Sequence, residues 1–347
     1  MDVAFYQSSI TALAISVVFT PILIRISRKK GFYASINHRS SHASSVPNTG
    51  GIILCFAVLI PLILFSDYPN QDDFSVLISA FAVLLITGII DDFNPIPVAY
   101  KFLGQFIPAI VIITSIDQHE LVIPFINDFV KLPFVFNYLF WILFIVMSIN
   151  AFNLIDGIDG LALGLGITSG LFYFIKFYEF GNKDLIIFSI VLISGLLGLL
   201  FYNVSRKHKI FIGDTGSLLI GGLLVYFGLK YMDLSNSKTT NSSFFMVLGC
   251  IFIPLADMIR VTLFRISHGQ SPFQADRHHI HHIVMDLVHK NHITATAILI
   301  FGQIVILFLF DRITKLSNPI FLLYLLLSFL MYFGTVNLLK KWRNRRI

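Results

Sequence analysis

Between Ser148 and Gly164 the chain reads SINAFNLIDGIDGLALG, which sets Asn150, Asn153, Asp156 and Asp159 three residues apart directly after an apolar run. Residues three apart share one face of a helix, so the spacing predicts two amides and two carboxylates lined up at a helix end. A carboxylate at the centre of a bilayer costs about 2.5–3.5 kcal/mol on insertion scales, and ionisable groups in membrane segments face polar cavities or functional partners. The pattern therefore reads as a site rather than as a linker with incidental polar residues. An EF-hand calcium loop is a poor fit, because it requires a Glu six residues after its glycine and Gly160 is followed by LALGLG.

Three further stretches carry chemistry. Gly88 to Lys101 reads GIIDDFNPIPVAYK, with Asp91 and Asp92 adjacent at the end of an apolar run. Adjacent residues do not share a helix face, so one carboxylate is expected in a cavity while the other caps backbone, and Pro95 and Pro97 then stop the helix. Phe211 to Gly222 reads FIGDTGSLLIGG, in which Gly213 and Gly216 flank Asp214 and Thr215 and Ser217 opens the next apolar run. Such a turn lets backbone N–H groups approach an anion at a helix N-terminus, and its carboxylate suits magnesium, which combines few carboxylates with phosphate and water oxygens. Pro254 to His282 reads PLADMIRVTLFRISHGQSPFQADRHHIHH. Asp257 and Arg260, three apart, read as a helix ion pair. Arg265, Arg277, His279, His281 and His282 gather donors for phosphate and sugar hydroxyls; the histidines alone also suit zinc, although no cysteine stands nearby.

The elements that must position these groups are membrane helices. Of 347 residues, 56% are hydrophobic and only 13% charged, a composition that identifies an all-α, polytopic membrane helix bundle. About eleven apolar windows approach spanning length, near 3–26, 51–66, 74–90, 102–116, 133–149, 161–178, 185–202, 217–232, 243–264, 294–310 and 318–338. The windows at 51–66 and 102–116 are the weakest. Basic residues follow the first window and none precedes it, which is the reverse of a secretory signal and places the N-terminus outside and the C-terminus in the cytoplasm. On that arrangement 18 of the 25 Lys and Arg residues fall inside and 7 outside, the positive-inside pattern. The net charge of +6 is thereby a matter of topology and gives no reason to expect nucleic acid. All four motif clusters fall on the inside. Cys55 and Cys250 lie within apolar runs and read as packing residues. The chain reads as one integral-membrane domain, 1–347, ending in a basic cytoplasmic tail over 339–347.

The ordered set DDxxxxP, NxxNxxDGxDGLA, FxGDxGSxxxG, PxxDxxRVxxxR and SPFxxDRxHxHH resembles the polyprenyl-phosphate N-acetylhexosamine-1-phosphate transferases over roughly residues 37 to 282. The HIHH ending at His282, and the loop from Asn37-His-Arg-Ser-Ser-His42 to Pro47-Asn-Thr-Gly-Gly51, are similar to the undecaprenyl-phosphate GlcNAc-1-phosphate branch rather than to the phospho-MurNAc-pentapeptide branch. The resemblance implies transfer of a HexNAc-1-phosphate, foremost GlcNAc-1-phosphate, from a UDP-sugar to a polyprenyl phosphate in the bacterial inner membrane, with a cytoplasm-facing site and UMP as the second product. It implies that Asp91 and Asp92 serve the lipid phosphate, one of them as a candidate general base. It also places Asn153 and Asp214 at magnesium, for which manganese can substitute, Asp156 and Asp159 near the nucleotide, and His279, His281 and His282 near the sugar. Asn203 resembles a uridine-contacting Asn, in a linker that reads Val-Ser-Arg-Lys-His-Lys where relatives often carry a proline. Asn150, Arg265 and Arg277 complete the substrate-binding candidates. The oligomeric state, a homodimer included, is left open. A transporter of anionic substrates is the alternative from another class; it would show broken helices near the midplane and an inverted repeat, whereas here the charged motifs cluster at one face.

Overall fold

The computed structural model describes residues 3–31, 46–65, 71–114, 116, 133–235, 240–274, 276–313 and 318–346. These form twelve helices: α1 (Val3–Lys30), α2 (Gly50–Phe65), α3 (Gln71–Phe93), α4 (Val98–Ile113), α5 (Phe134–Ile155), α6 (Leu161–Phe180), α7 (Lys183–Asn203), α8 (Gly213–Leu234), α9 (Thr240–Ser267), α10 (Ile280–Leu287), α11 (His292–Ile313) and α12 (Asn318–Arg346). Among the described residues no strand occurs, and nine helices are long and apolar enough to cross a membrane. The shorter apolar helices α2 and α4 correspond to the two weakest windows of the sequence. At 16 residues each they reach about 24 Å, short of a hydrocarbon core of about 30 Å.

Helix α8 is the axis of the bundle and packs against α2, α3, α5, α6 and α9. Membrane helices cannot draw on water to drive them together, so small residues that admit close backbone contact decide where they meet. Gly51 of α2, Gly88 of α3 and Gly221 of α8 are such points. A Cβ on Gly51 would lie 2.2 Å from the Gly216 nitrogen, one on Gly88 2.3 Å from the Thr215 Cα, and one on Gly221 2.9 Å from the Ile149 Cα. The first turn of α8 is therefore pressed between α2 and α3, which carries Asp214 to the end of α3 where Asp91 and Asp92 stand. Backbone hydrogen bonds fix the approach to this turn: Phe211 N donates to Pro47 O, Gly50 N to Phe211 O and Gly51 N to Ile212 O, at 2.8–2.9 Å. The loop segment Asn37 to His42 lies outside the described residues.

One feature was not expected from the sequence: helix α10, of eight residues, begins within the histidine segment. The basic stretch from 339 onward continues α12 as helix to Arg346.

Candidate active site

The face expected from Asn150 to Asp159 is interrupted. Helix α5 ends at Ile155, Asp156 leaves helical geometry at φ −75°, ψ 62°, and Gly160 takes φ +77°, a left-handed conformation that glycine adopts without strain. Asn150 and Asn153 thus ride on the last turns of α5, whereas Asp156 and Asp159 belong to the turn that follows. A helical period holds only while the backbone stays helical, and it departs at Asp156, where Gly157 N donates back to Ile155 O at 2.8 Å.

The adjacent carboxylates of α3 point in different directions. Asp91 pairs with Lys101 of α4 at 2.7 Å and accepts a hydrogen bond from Ile96 N at 2.9 Å. Asp92 instead closes the first turn of α8. It accepts from Asp214 N at 2.7 Å, Thr215 N at 3.0 Å, Thr215 Oγ1 at 2.5 Å and Asn48 Nδ2 at 2.6 Å. This is an N-cap supplied across the helix interface, satisfying donors that a helix start leaves unpaired. Gly213, at φ +68°, is required there, because a Cβ would sit 2.6 Å from both Asp92 oxygens.

Lys101 Nζ also reaches Asp214 Oδ1 at 3.1 Å, so one ammonium bridges carboxylates from the end of α3 and the start of α8. The Asn153 amide donates to Asp214 Oδ1 and, at 2.9 Å, to Ser217 Oγ. The half-buried Asp156 stands near this group; burial first, then the Asp214, Asp92 and Asp159 carboxylates, push its carboxyl well above the ordinary range. These donors are hard oxygens and an amide, which fit a divalent ion of the magnesium kind. Among the described residues no three His, Cys, Asp or Glu side chains form a metal cage, so such an ion would complete its shell with phosphate and water oxygens.

Next to this group opens a cavity of about 480 Å³, lined by Lys101, Asn150, Asn153, Arg265, His279, His281 and His282 among others. The far wall is the histidine segment, and a single buried carboxylate seats it. Asp257 accepts from Arg260 at 2.7 Å and from Ile280 N, the first residue of α10, at 3.0 Å, and pairs with His279 Nδ1 at 2.8 Å. Tyr332 of α12 reaches the same carboxylate at 3.3 Å. The pairing of Asp257 and Arg260 read from sequence is present, and it is the foundation of the histidine wall. Arg265 is held by Asp276 at 2.8 Å and by Pro272 O at 2.5 Å. Burial holds the His281 imidazole well below its usual pKa and brings that of His282 down to about 4, so both are neutral near pH 7. Phe102 of α4 meets Phe273 edge-on at 5.7 Å, closing the cavity between the two walls.

Three predicted residues lie elsewhere. Asp159 faces away from the cavity, where it pairs with Lys209 and with His292 at 3.3 Å. Asn203 is buried, with Gly160 N donating to its Oδ1 at 2.6 Å and its Nδ2 donating to Ile210 O at 2.9 Å. Both ends of that amide are used in tying the DGIDG turn to the approach of α8. Arg277 lines a different cavity. Conversely, sequence reasoning passed over Lys101, Lys209, His292 and Asn48. Lys101 had a signal, being the single basic residue in the connection that follows Asp91 and Asp92.

Fold and site together define a multi-pass helical membrane protein whose acidic and basic motifs converge at one end of the bundle, as anionic substrates require. Residues 74–232 match glycosyl transferase family 4. The chain is 32% identical over 306 residues to a probable undecaprenyl-phosphate N-acetylglucosaminyl 1-phosphate transferase of Bacillus subtilis (strain 168), covering 87% of this chain and 82% of that one. It is 28% identical to the undecaprenyl-phosphate alpha-N-acetylglucosaminyl 1-phosphate transferase of Yersinia pestis, over 95% of this chain and 90% of that one. The Salmonella typhi enzyme of the same name is 32% identical, over 77% and 74% of the two chains. The chain belongs to glycosyl transferase family 4, with the polyprenyl-phosphate N-acetylhexosamine-1-phosphate transferases that its motifs resemble.

Proposed function

We propose that the protein transfers GlcNAc-1-phosphate from UDP-GlcNAc to undecaprenyl phosphate at the cytoplasmic face of the bacterial inner membrane. The names of its relatives support this reading, and the observation that carries it is the Lys101 bridge between Asp91 and Asp214, set beside a cavity whose opposite wall is Arg265 and the histidines. An oxygen of the lipid phosphate forms a bond to the sugar-bearing phosphorus of the donor. The bond from that phosphorus to the bridging oxygen breaks, and UMP leaves with the electron pair.

Both substrates are anionic, so catalysis rests on positioning and on charge placed in advance. Lys101 supplies positive charge between the two carboxylates. Asp214, Asp91 and Asn153 would hold magnesium, which supplies further neutralisation of the phosphate oxygens. Arg265, His279 and the neutral His281 and His282 offer donors and acceptors to the sugar side of the donor. Asp92, Asp159 and Asn203 act one layer back by fixing the two turns that present these groups. The test is an assay of purified protein with undecaprenyl phosphate and a panel of UDP-HexNAc donors. UMP release that requires both the lipid phosphate and UDP-GlcNAc is expected; release without the lipid, or preference for a muramyl-pentapeptide donor, overturns the reading.

A further inference from the structure

The end of α12 and the segment leading into His279 line a second cavity, open to the surface and of about 410 Å³, between Arg277, His278, Asp286, Arg343 and Asn344. Among the described residues Asp286 is the only acid in that lining, and it is shared, with Arg277 at 3.3 Å and Arg343 at 3.5 Å. Each guanidinium presents five N–H donors in a planar fork. One carboxylate facing two such groups leaves positive charge and unused donors, a set that suits the oxygens of a phosphate.

The surroundings indicate what carries the phosphate. Helix α12 exposes Leu323, Leu326, Leu327, Leu330, Met331 and Leu338, an apolar track of spanning length. Trp342, 60% exposed, ends that track immediately before Arg343. Tryptophan marks the headgroup level of a membrane, and basic residues just beyond it attract anionic lipids. Lys340 lies 4.5 Å from the Phe264 ring centre, which fastens this end of α12 to α9. Arginines needed only for topology require no cavity and no shared carboxylate.

We propose that this cavity binds the phosphate headgroup of an anionic membrane lipid, held by Arg277 and Arg343 in competition with Asp286, with the lipid tails along α12. His278, which lines this cavity, directly precedes His279 of the histidine wall.

The test places the full-length protein in phosphatidylcholine nanodiscs doped with phosphatidylglycerol or with undecaprenyl phosphate, with inorganic phosphate alone as a third arm, and reads retained ligand by native mass spectrometry. The wild type is expected to retain one anionic lipid in preference to phosphatidylcholine. Arg277→Gln with Arg343→Gln should weaken retention about 25-fold, at about fivefold per basic residue near an anionic surface. Asp286→Asn frees both guanidiniums and should strengthen it, a change in the opposite direction that damaged folding does not produce. Retention that falls in the double variant assigns the site to bulk lipid when it occurs in the phosphatidylglycerol arm, and to the substrate lipid when it is confined to the undecaprenyl phosphate arm. Unchanged retention in the double variant, weaker retention in Asp286→Asn, or inorganic phosphate binding as tightly as lipid overturns the proposal.

Discussion

Lys101 and Asn153 both reach Asp214 Oδ1, so its charge is already committed within the site. Replacing it by Asn keeps the shape and removes the charge. Activity of Asp214→Asn should fall by at least about a hundredfold, the scale of losing one strong preorganised electrostatic contact, with normal insertion and a higher magnesium requirement for what remains. Near-normal turnover with unchanged magnesium dependence would place the ion elsewhere. His281 and His282 lie across the cavity. His281→Ala should raise the KM for the UDP-sugar or lower turnover and leave the KM for polyprenyl phosphate alone; an effect confined to the lipid would contradict the placement. The protonation of His282 gives a second expectation at this scale. Its pKa, down to about 4 through burial first and then the Arg277 and His279 charges, lies below the ordinary imidazole value, so the unfolded chain takes up the proton first. The stability from keeping it neutral is complete above about pH 6.5 and declines as pH falls toward 4. The thermal midpoint of the wild type should therefore drop across that window more steeply than that of His282→Asn, and parallel curves would remove His282 from the account.

The element that joins the two walls is the turn after α5. A Cβ on Gly157 would sit 2.1 Å from His281 Nε2, so the turn and the histidine wall are in direct contact and neither can shift alone. Gly157→Ala should leave the bundle folded while displacing His281, with a loss in kcat/KM for the donor of up to about a hundredfold, the cost of a misplacement of about 1 Å. A variant with wild-type donor kinetics would show that the wall yields freely. This turn also shows how far element-level reading reaches. The period of three from Asn150 to Asp159 is real in the sequence, but α5 ends at Ile155 and Asp159 pairs with Lys209 and His292 in the turn that follows. The split of Asp91 from Asp92 was legible, because adjacent residues on a helix diverge by about 100°. Which of the two would cap α8 was not, since that depends on where a turn 120 residues later arrives.

For the molecule as a whole, the proposed topology, argued from the bias of basic residues and the clustering of motifs, sets the ends of α3, α5, α7 and α9 in the cytoplasm. Cysteines introduced at Asn94 and Ser205 should resist an impermeant thiol reagent in intact cells and react once the membrane is opened. The native Cys55 and Cys250 are both buried and should give little background. Labelling of either introduced cysteine from outside would invert the topology and move the site to the other face.

What the sequence determined by itself was the helical membrane architecture, with α2 and α4 marked as the weak spans, and the motifs that bear the chemistry. Hydrophobic length and charge bias are local properties, summed along a chain that the bilayer constrains to helices. Tertiary structure decided which groups meet. Lys101 is a lone lysine until α3 and α8 bring Asp91 and Asp214 to it, and Asp257 is half of a helix ion pair until the chain returns 22 residues later to set His279 on it. Asn203, which resembles a ligand-contacting residue, bridges two backbone segments with its amide in the folded chain. Asp214 reaches Lys101 from far along the chain, brought in by close helix contacts at Gly51, Gly88 and Gly221 whose geometry no local pattern encodes.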